Sequence, residues 1–392
     1  MREIILKKGK EESLQRRHPW VFSGAIARAP EGLEEGERVA VRASDGTLLG
    51  SGHYQIGSIT VRLFAFGEEE FGDKLYEIRL QEALRLRLAL GLIRPDNNCY
   101  RLVHGEGDYL PGLIVDVFGD TAVMQAHSPG IHRDRHIIAD ALVGLPDAKL
   151  RHVYYKSETT LPYMARLEPK DGYLIGHYEG SLELENGLEF SIDWFKGQKT
   201  GFFLDQRDNR TLLQRYASGR NVLNMFCYTG GFSVYALRGG ANRVVSVDSS
   251  SRAISLTSAN VTFNFPNTDR HEAVATDAFK FLDSVGMGEY DLIVLDPPAF
   301  AKHKNALKNG LMGYRRLNAK AFERIAKGGI LFTFSCSQVV TREQFRLAVF
   351  SAAVQAGRRV RILHQLTQPA DHPVDIAHPE GEYLKGLVLY VE

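Results

Sequence analysis

Asn221-Val-Leu-Asn-Met-Phe-Cys-Tyr-Thr-Gly-Gly231, Asp291-Leu-Ile-Val-Leu-Asp-Pro-Pro-Ala-Phe300 and Leu331-Phe-Thr-Phe-Ser-Cys-Ser337 are each apolar for four to six residues and then stop abruptly in small, polar or turn-forming residues. That is how a buried parallel strand reads when it delivers functional groups to the carboxyl edge of an α/β sheet. Ligands of open α/β sheets sit in the crevice outside those strand ends. A glycine turn, an acid followed by two prolines, and a cysteine are therefore expected to meet in one cleft.

Outward from these segments, the chain beyond residue 200 alternates strand and helix. Candidate strands are Asn221–Phe226, Arg243–Val247, Glu272–Ala275, Asp291–Leu295, Ile330–Phe334, Val360–Gln365 and Gly386–Val391. Seven strands with helices between most of them imply an α/β fold with a doubly wound, Rossmann-like sheet. A loop carrying Pro and His joins the last two strands, so an antiparallel hairpin is expected at that edge.

At 392 residues, and roughly 150 residues per domain, the chain should hold two or three domains. Residues 1–69 read as a small β-barrel: Arg38–Arg42 alternates around Val39 and Val41, Ser44-Asp45-Gly46 is a turn, and Ile59–Phe66 alternates again. Residues 70–180 form a central α+β part that opens with a helix over Asp73–Leu92. Asp73 is its expected N-cap, and Leu80, Leu84 and Leu88 form its apolar face. Ser181–Glu185, Asn186-Gly187 and Leu188–Ile192 make a hairpin, which opens a third domain over 181–392.

Hydrophobic residues make up 44% and charged residues 24%, which excludes global disorder. The apolar stretches are too short for a membrane span, and the N-terminus shows no secretory signal. Three widely spaced cysteines, Cys99, Cys227 and Cys336, argue against a disulfide framework and against a zinc site, so a reducing cytoplasm is expected. The formal net charge of +1 means that any nucleic-acid surface must be local. One such run exists: from Pro297 to Phe322 there is no acid, but there are Lys302, Lys304, Lys308, Arg315, Arg316 and Lys320. The sequence does not set the oligomeric state; a homodimer is compatible with it.

The turn Cys227-Tyr-Thr-Gly-Gly231 lets the backbone approach a ligand, and the helix after it presents free N–H groups. A nicotinamide site would need a third glycine, which is missing. Asp248 ends the second strand, where a carboxylate can accept both hydroxyls of a ribose. Asp277 ends the third, where it can accept from an adenine amino group. Either acid alone would more often be a helix cap; acids at successive strand ends favour a cofactor site. These residues resemble a class I S-adenosylmethionine-dependent methyltransferase. The resemblance implies S-adenosylmethionine as cofactor, with Phe226, Tyr228, Gly230, Asp248, Asp277 and Asp296 lining its cleft. Asn224 departs from the family, which often has an acid there.

The first 65 residues resemble a PUA domain, an RNA-binding module, through Gly36-Glu-Arg-Val-Ala-Val41, Gly50-Ser-Gly-His-Tyr54 and Ser58-Ile-Thr-Val-Arg62. Arg16, Arg17, His18 and Trp20 are its candidate RNA contacts. Nearly end to end, the chain resembles the bacterial 23S rRNA cytosine-C5 methyltransferases. Arg17-His-Pro-Trp-Val-Phe22, the stretch Lys199–Arg210, Ser335-Cys-Ser337, Asp371-His-Pro373 and Pro379-Glu-Gly-Glu-Tyr-Leu-Lys-Gly386 carry that likeness. It implies 23S ribosomal RNA as partner and Cys336 as the nucleophile that adds to cytosine C6, because C5 alone is a poor nucleophile. Asp296 is the second catalytic candidate. Gln206 and Arg207 would cover the methionine end of the cofactor; Pro297, Phe300, Arg315 and Arg316 would hold the substrate. The Asp-Pro-Pro-aromatic motif equally fits base-nitrogen methylation without a covalent step, and a non-catalytic RNA-binding assembly factor is the reading from another class. His372 and His378 are expected near the target base and not as a metal pair.

Overall fold

The strand runs read from the sequence organise a computed structural model that describes residues 1–178, 180 and 182–392. Ser181, where the hairpin was expected to open, lies outside the described residues. Among them, the chain divides into two compact units. The first holds residues 1–187, 192–204 and 370–381; the second holds 188–191, 205–369 and 382–392.

In the first unit, a six-stranded sheet runs in the order Trp20–Phe22, Ile59–Phe66, Leu48–Tyr54, Arg38–Arg42, Arg2–Leu6, Ile26–Arg28. Ile4, Leu6, Val39, Val41, Val61 and Leu63 close its core. A five-stranded sheet follows, from Cys99–His104 at one edge to Gly172–Ile175 at the other, packed with the helix Asp73–Ala89. Two details differ from expectation. The helix is capped by Gly72, and Asp73 is its first residue. Leu88 is 41% exposed, and Arg87 takes the buried place one turn below Leu84. Its guanidinium donates to Asp108 at 2.8 Å, so the helix face carries an ion pair where the leucine pattern suggested a methyl-lined one. Asn186 and Gly187 take positive φ between the strands Leu182–Glu185 and Leu188–Ser191, as the turn chemistry requires.

The second unit is built on a seven-stranded sheet in the order His271–Ala275, Arg243–Asp248, Asn221–Met225, Leu292–Leu295, Gly329–Ser335, Lys385–Val391, Val360–Leu366. Its first five members in that order are parallel, and their register aligns Met225 with Leu295 and Leu295 with Thr333. The last two in chain order pair antiparallel, as expected, but the C-terminal strand is inserted beside Gly329–Ser335 and leaves Val360–Leu366 at the edge. Burial explains the choice: Lys385–Val391 is buried at nearly every residue, whereas Val360–Leu366 is mostly exposed. Among the described residues, no helix is long and apolar enough to cross a membrane.

Candidate active site

The glycine turn is strained and closely braced. Phe226 and Tyr228 have φ of 58° and 49°, a region that non-glycine residues seldom occupy. Gly230 follows at φ 77°, and a Cβ there would meet Thr257 Cγ2 at 2.6 Å. Cys227 N donates to Val247 O at 3.0 Å, Thr257 Oγ1 to Tyr228 O at 2.8 Å, and Asn260 Nδ2 to Thr229 O at 2.8 Å. The helix Ser251–Asn264 thus holds the turn from behind. Asp248 ties in the second strand: its Oδ2 accepts from Tyr228 N at 3.0 Å and its Oδ1 from Ser250 N at 2.9 Å. The structure therefore brings Phe226, Tyr228, Gly230 and Asp248 together.

Asn224 lies one layer below, where its Nδ2 donates to Ser233 Oγ at 2.8 Å. Ser233 continues through Ser246 to half-buried His271, a chain of polar groups that reaches across three strands. Asn224 Oδ1 is buried and has no hydrogen-bond partner among the described residues. Gln206 and Arg207 are both buried, at the entry to the helix Arg207–Tyr216. Gln206 accepts from Asn209 at 2.6 Å, and Asp205 beside it accepts from Tyr383 Oη at 2.7 Å. A Cβ at Gly231 would meet Arg210 Cδ at 2.9 Å, so the same helix lays an arginine stem against the glycine turn. Asp277 is exposed and caps the helix Ala278–Ser284 by accepting from Lys280 N at 3.0 Å, the commoner use of such an acid.

The Asp-Pro-Pro and cysteine segments converge on a residue the sequence did not single out, Tyr314. Its ring is fully buried 4.7 Å from that of Phe300, and its hydroxyl accepts from Phe300 N at 3.4 Å. Burial pushes its phenol up to about 12; the hydrogen bond with Ser335 opposes that, and the negative charges of Cys336 and Asp296 add to it. Asp296, Phe300, Ser335 and Cys336 therefore lie within electrostatic reach of one phenol. Phe300 also fills the space over Gly313, where a Cβ would meet its ring at 2.9 Å. Ser337 Oγ donates to Ala301 O and joins the two loops directly.

The two cysteines near this edge differ sharply. Cys227 is 6% exposed, and burial pushes its thiol up to about 12, so little thiolate exists near neutrality. Cys336 is half-buried just past the Gly329–Ser335 strand, next to the strand Leu292–Leu295 that Asp296 follows. A thiol, a carboxylate and a strained glycine turn at adjacent strand ends can support nucleophilic attack beside a bound nucleotide-like cofactor.

Arg315 and Arg316 are exposed on the helix Leu307–Arg324 but diverge. Arg315 donates twice to Gln355 Oε1, at 3.1 and 2.9 Å; Arg316 lies 4.7 Å over the Phe279 ring. Lys320 is paired with Asp283. The basic run is thus partly neutralised and spread over two sides of its helix.

In the first unit, ligand atoms of His18, His378 and Glu380 lie within 4.8 Å of one another. Trp20 N donates to His18 Nδ1 at 3.2 Å, which leaves the ring proton on Nε2, the atom 3.5 Å from Glu380. That tautomer suits a hydrogen bond to the carboxylate, and we assign no ion there.

The sequence model of the S-adenosylmethionine-dependent methyltransferases matches residues 166–381, and that of the PUA-like domain matches residues 4–66. The protein named ribosomal RNA large subunit methyltransferase I of Tolumonas auensis is 41% identical over 98% of each chain. The protein of the same name from Klebsiella pneumoniae is 40% identical over 99% of this chain and 98% of its own. A Streptococcus mutans protein assigned as a SAM-dependent methyltransferase shares the fold over the whole of both chains, at a TM-score of 0.84 and 23% identity. A braced glycine turn, an acid after the second strand and an end-to-end match at 41% identity lead to one conclusion: the chain belongs to the S-adenosylmethionine-dependent methyltransferases, within the group named ribosomal RNA large subunit methyltransferase I.

Proposed function

We propose that this enzyme methylates C5 of a cytosine in large-subunit (23S) ribosomal RNA through a covalent bond to Cys336. The observation that carries the reading is the contrast between half-buried Cys336 beside the Asp296 strand and buried Cys227, whose thiol is held protonated. The names of the relatives support ribosomal RNA as the substrate.

S-adenosylmethionine supplies an electrophilic methyl carbon. The braced turn at Phe226, Tyr228 and Gly230, where Gly230 has no room for a Cβ against Thr257, suits a closely held ligand, and half-buried Asp248 would accept its ribose hydroxyls. Asn224 Oδ1, buried and without a partner, offers an uncharged acceptor. Gln206 and Arg207 would close the methionine end, and Asp277 the adenine end. Cys336 Sγ, as thiolate, forms a bond to C6 and raises the electron density at C5. Once C5 is methylated, loss of its proton to a base restores the C5–C6 double bond and expels the thiolate. Asp296 and the Pro297 carbonyl would accept from the exocyclic amino group, with Phe300 at the edge of the base. Arg315 and Arg316 would meet phosphates.

We further propose three functional parts: residues 1–69 as an RNA-capturing barrel, 70–180 as a central domain, and 181–392 as the catalytic domain.

Product analysis tests this reading. Large-subunit RNA treated with enzyme and S-adenosylmethionine, digested to nucleosides and resolved by mass spectrometry, should contain 5-methylcytidine. A nucleoside methylated on an exocyclic or ring nitrogen would instead favour transfer through Asp296-Pro-Pro alone, with no bond to Cys336.

A further inference from the structure

Lys385 lies in a stretch whose role the proposed chemistry leaves open, yet its side chain reaches the cysteine loop. It is 7% exposed on the C-terminal strand, where it stands directly opposite Ser335 in the antiparallel ladder. Opposite residues share a face of the sheet, and on that face Ser335 bonds to Tyr314. Lys385 Nζ donates to Ser337 O at 2.5 Å and to Val340 O at 2.9 Å. Two of its N–H bonds are thereby fixed on carbonyls that follow Cys336. A buried ammonium is costly unless its protons are satisfied and its charge is met.

We propose that Lys385 is a positioning residue for Cys336: its buried nitrogen clamps the loop that follows the cysteine and supplies a positive charge to the thiolate. The inference rests on Cys336 being the nucleophile. The proton balance is simple. Lys385 acts as the ammonium, two of its N–H bonds held by carbonyls; the thiol gives its proton to solvent, and the positive charge favours the thiolate that remains.

The surrounding charges bear on that ammonium. Burial lowers the Lys385 ammonium to about 8, and Arg342, at the start of the helix Arg342–Gln355, lowers it as well; the Cys336 thiolate and Glu382 oppose them. From the other side, Cys336 and Asp296 on the Asp-Pro-Pro loop both act on the phenol of Tyr314.

The test is the pH dependence of Cys336 alkylation by iodoacetamide in the full-length protein, followed by peptide mass spectrometry. The wild-type midpoint should lie below the ordinary thiol value of about 8.5. Lys385→Met should move it up by about 1–2 pH units and slow alkylation at neutral pH roughly tenfold or more, because a nearby opposite charge shifts a pKa by that much. Lys385→Arg, which keeps the charge, should retain the low midpoint. In turnover, Lys385→Met should lower kcat without changing KM for RNA, and raising the pH should restore part of the loss. An unchanged alkylation profile in a folded Lys385→Met protein would overturn the proposal. If that variant does not fold, a wild-type midpoint at or above the ordinary value overturns it equally. Neither RNA nor cofactor is needed for this readout, so an active Cys336→Ala enzyme would remove the nucleophile reading alone, and an unshifted profile this one alone.

Discussion

Cys336→Ala should bind S-adenosylmethionine as tightly as the wild type and yet lose methyl transfer by on the order of 10⁴- to 10⁶-fold, the range seen when members of a covalent catalytic group are removed. The side chain is half-buried at a strand end, so its truncation leaves no sealed cavity and should cost little stability. Cys227→Ala is the matched control. It removes a buried thiol 3.6 Å from Thr257 Oγ1 and should lower the unfolding temperature while keeping measurable turnover. Radiolabelled methyl incorporation into RNA, with calorimetry for the cofactor, separates the two. A Cys336→Ala enzyme that methylates within tenfold of the wild type would eliminate the covalent step.

Asp248→Ala should weaken S-adenosylmethionine binding roughly 10- to 100-fold, the loss of about 1.5–3 kcal/mol expected for hydrogen bonds to a carboxylate. Part of the effect would be indirect, because Asp248 also accepts from the backbone of Tyr228 and Ser250 and so shapes the turn itself. Asp248→Asn separates the two contributions. It keeps an oxygen for one backbone bond and removes the charge, and should fall between the wild type and alanine. Titration calorimetry on the full chain is the measurement, since residues 192–204 and 370–381 belong with the first unit and a fragment from 185 onward would carry them without it. Unchanged affinity in both variants would remove Asp248 from the cofactor site.

Much of this architecture was legible in the sequence because fully buried parallel strands read as uninterrupted apolar runs. Asn221–Met225, Leu292–Leu295 and Gly329–Ser335 each lie within a residue or so of their expected bounds. The glycine turn was legible too, since Gly230-Gly231 after an apolar run has few other uses, but the positive φ of Phe226 and Tyr228 was not. What escaped the sequence depends on contacts distant along the chain. Lys385 comes to the cysteine loop only through a register that aligns it with Ser335, fifty residues earlier. Tyr314 belongs to a basic helix, and nothing local announces that its hydroxyl lies between Phe300 and Ser335. Arg316 stays among the proposed phosphate contacts, but no local pattern announces that its guanidinium lies over Phe279 in a neighbouring helix. The insertion of the last strand beside Gly329–Ser335 was similarly hidden, because pairing order follows from relative burial and not from either strand alone.

The most direct test of the central claim uses RNA that carries 5-fluorocytidine at the target position, incubated with full-length enzyme and S-adenosylmethionine. Fluorine at C5 cannot leave as a proton, so a thiol bonded to C6 stays bonded. Mass spectrometry of the digested complex should find the methylated fluoronucleotide on the peptide containing Cys336, and none with Cys336→Ala. RNA methylated at that cytosine with no protein adduct, or an adduct on Cys227, would contradict the account.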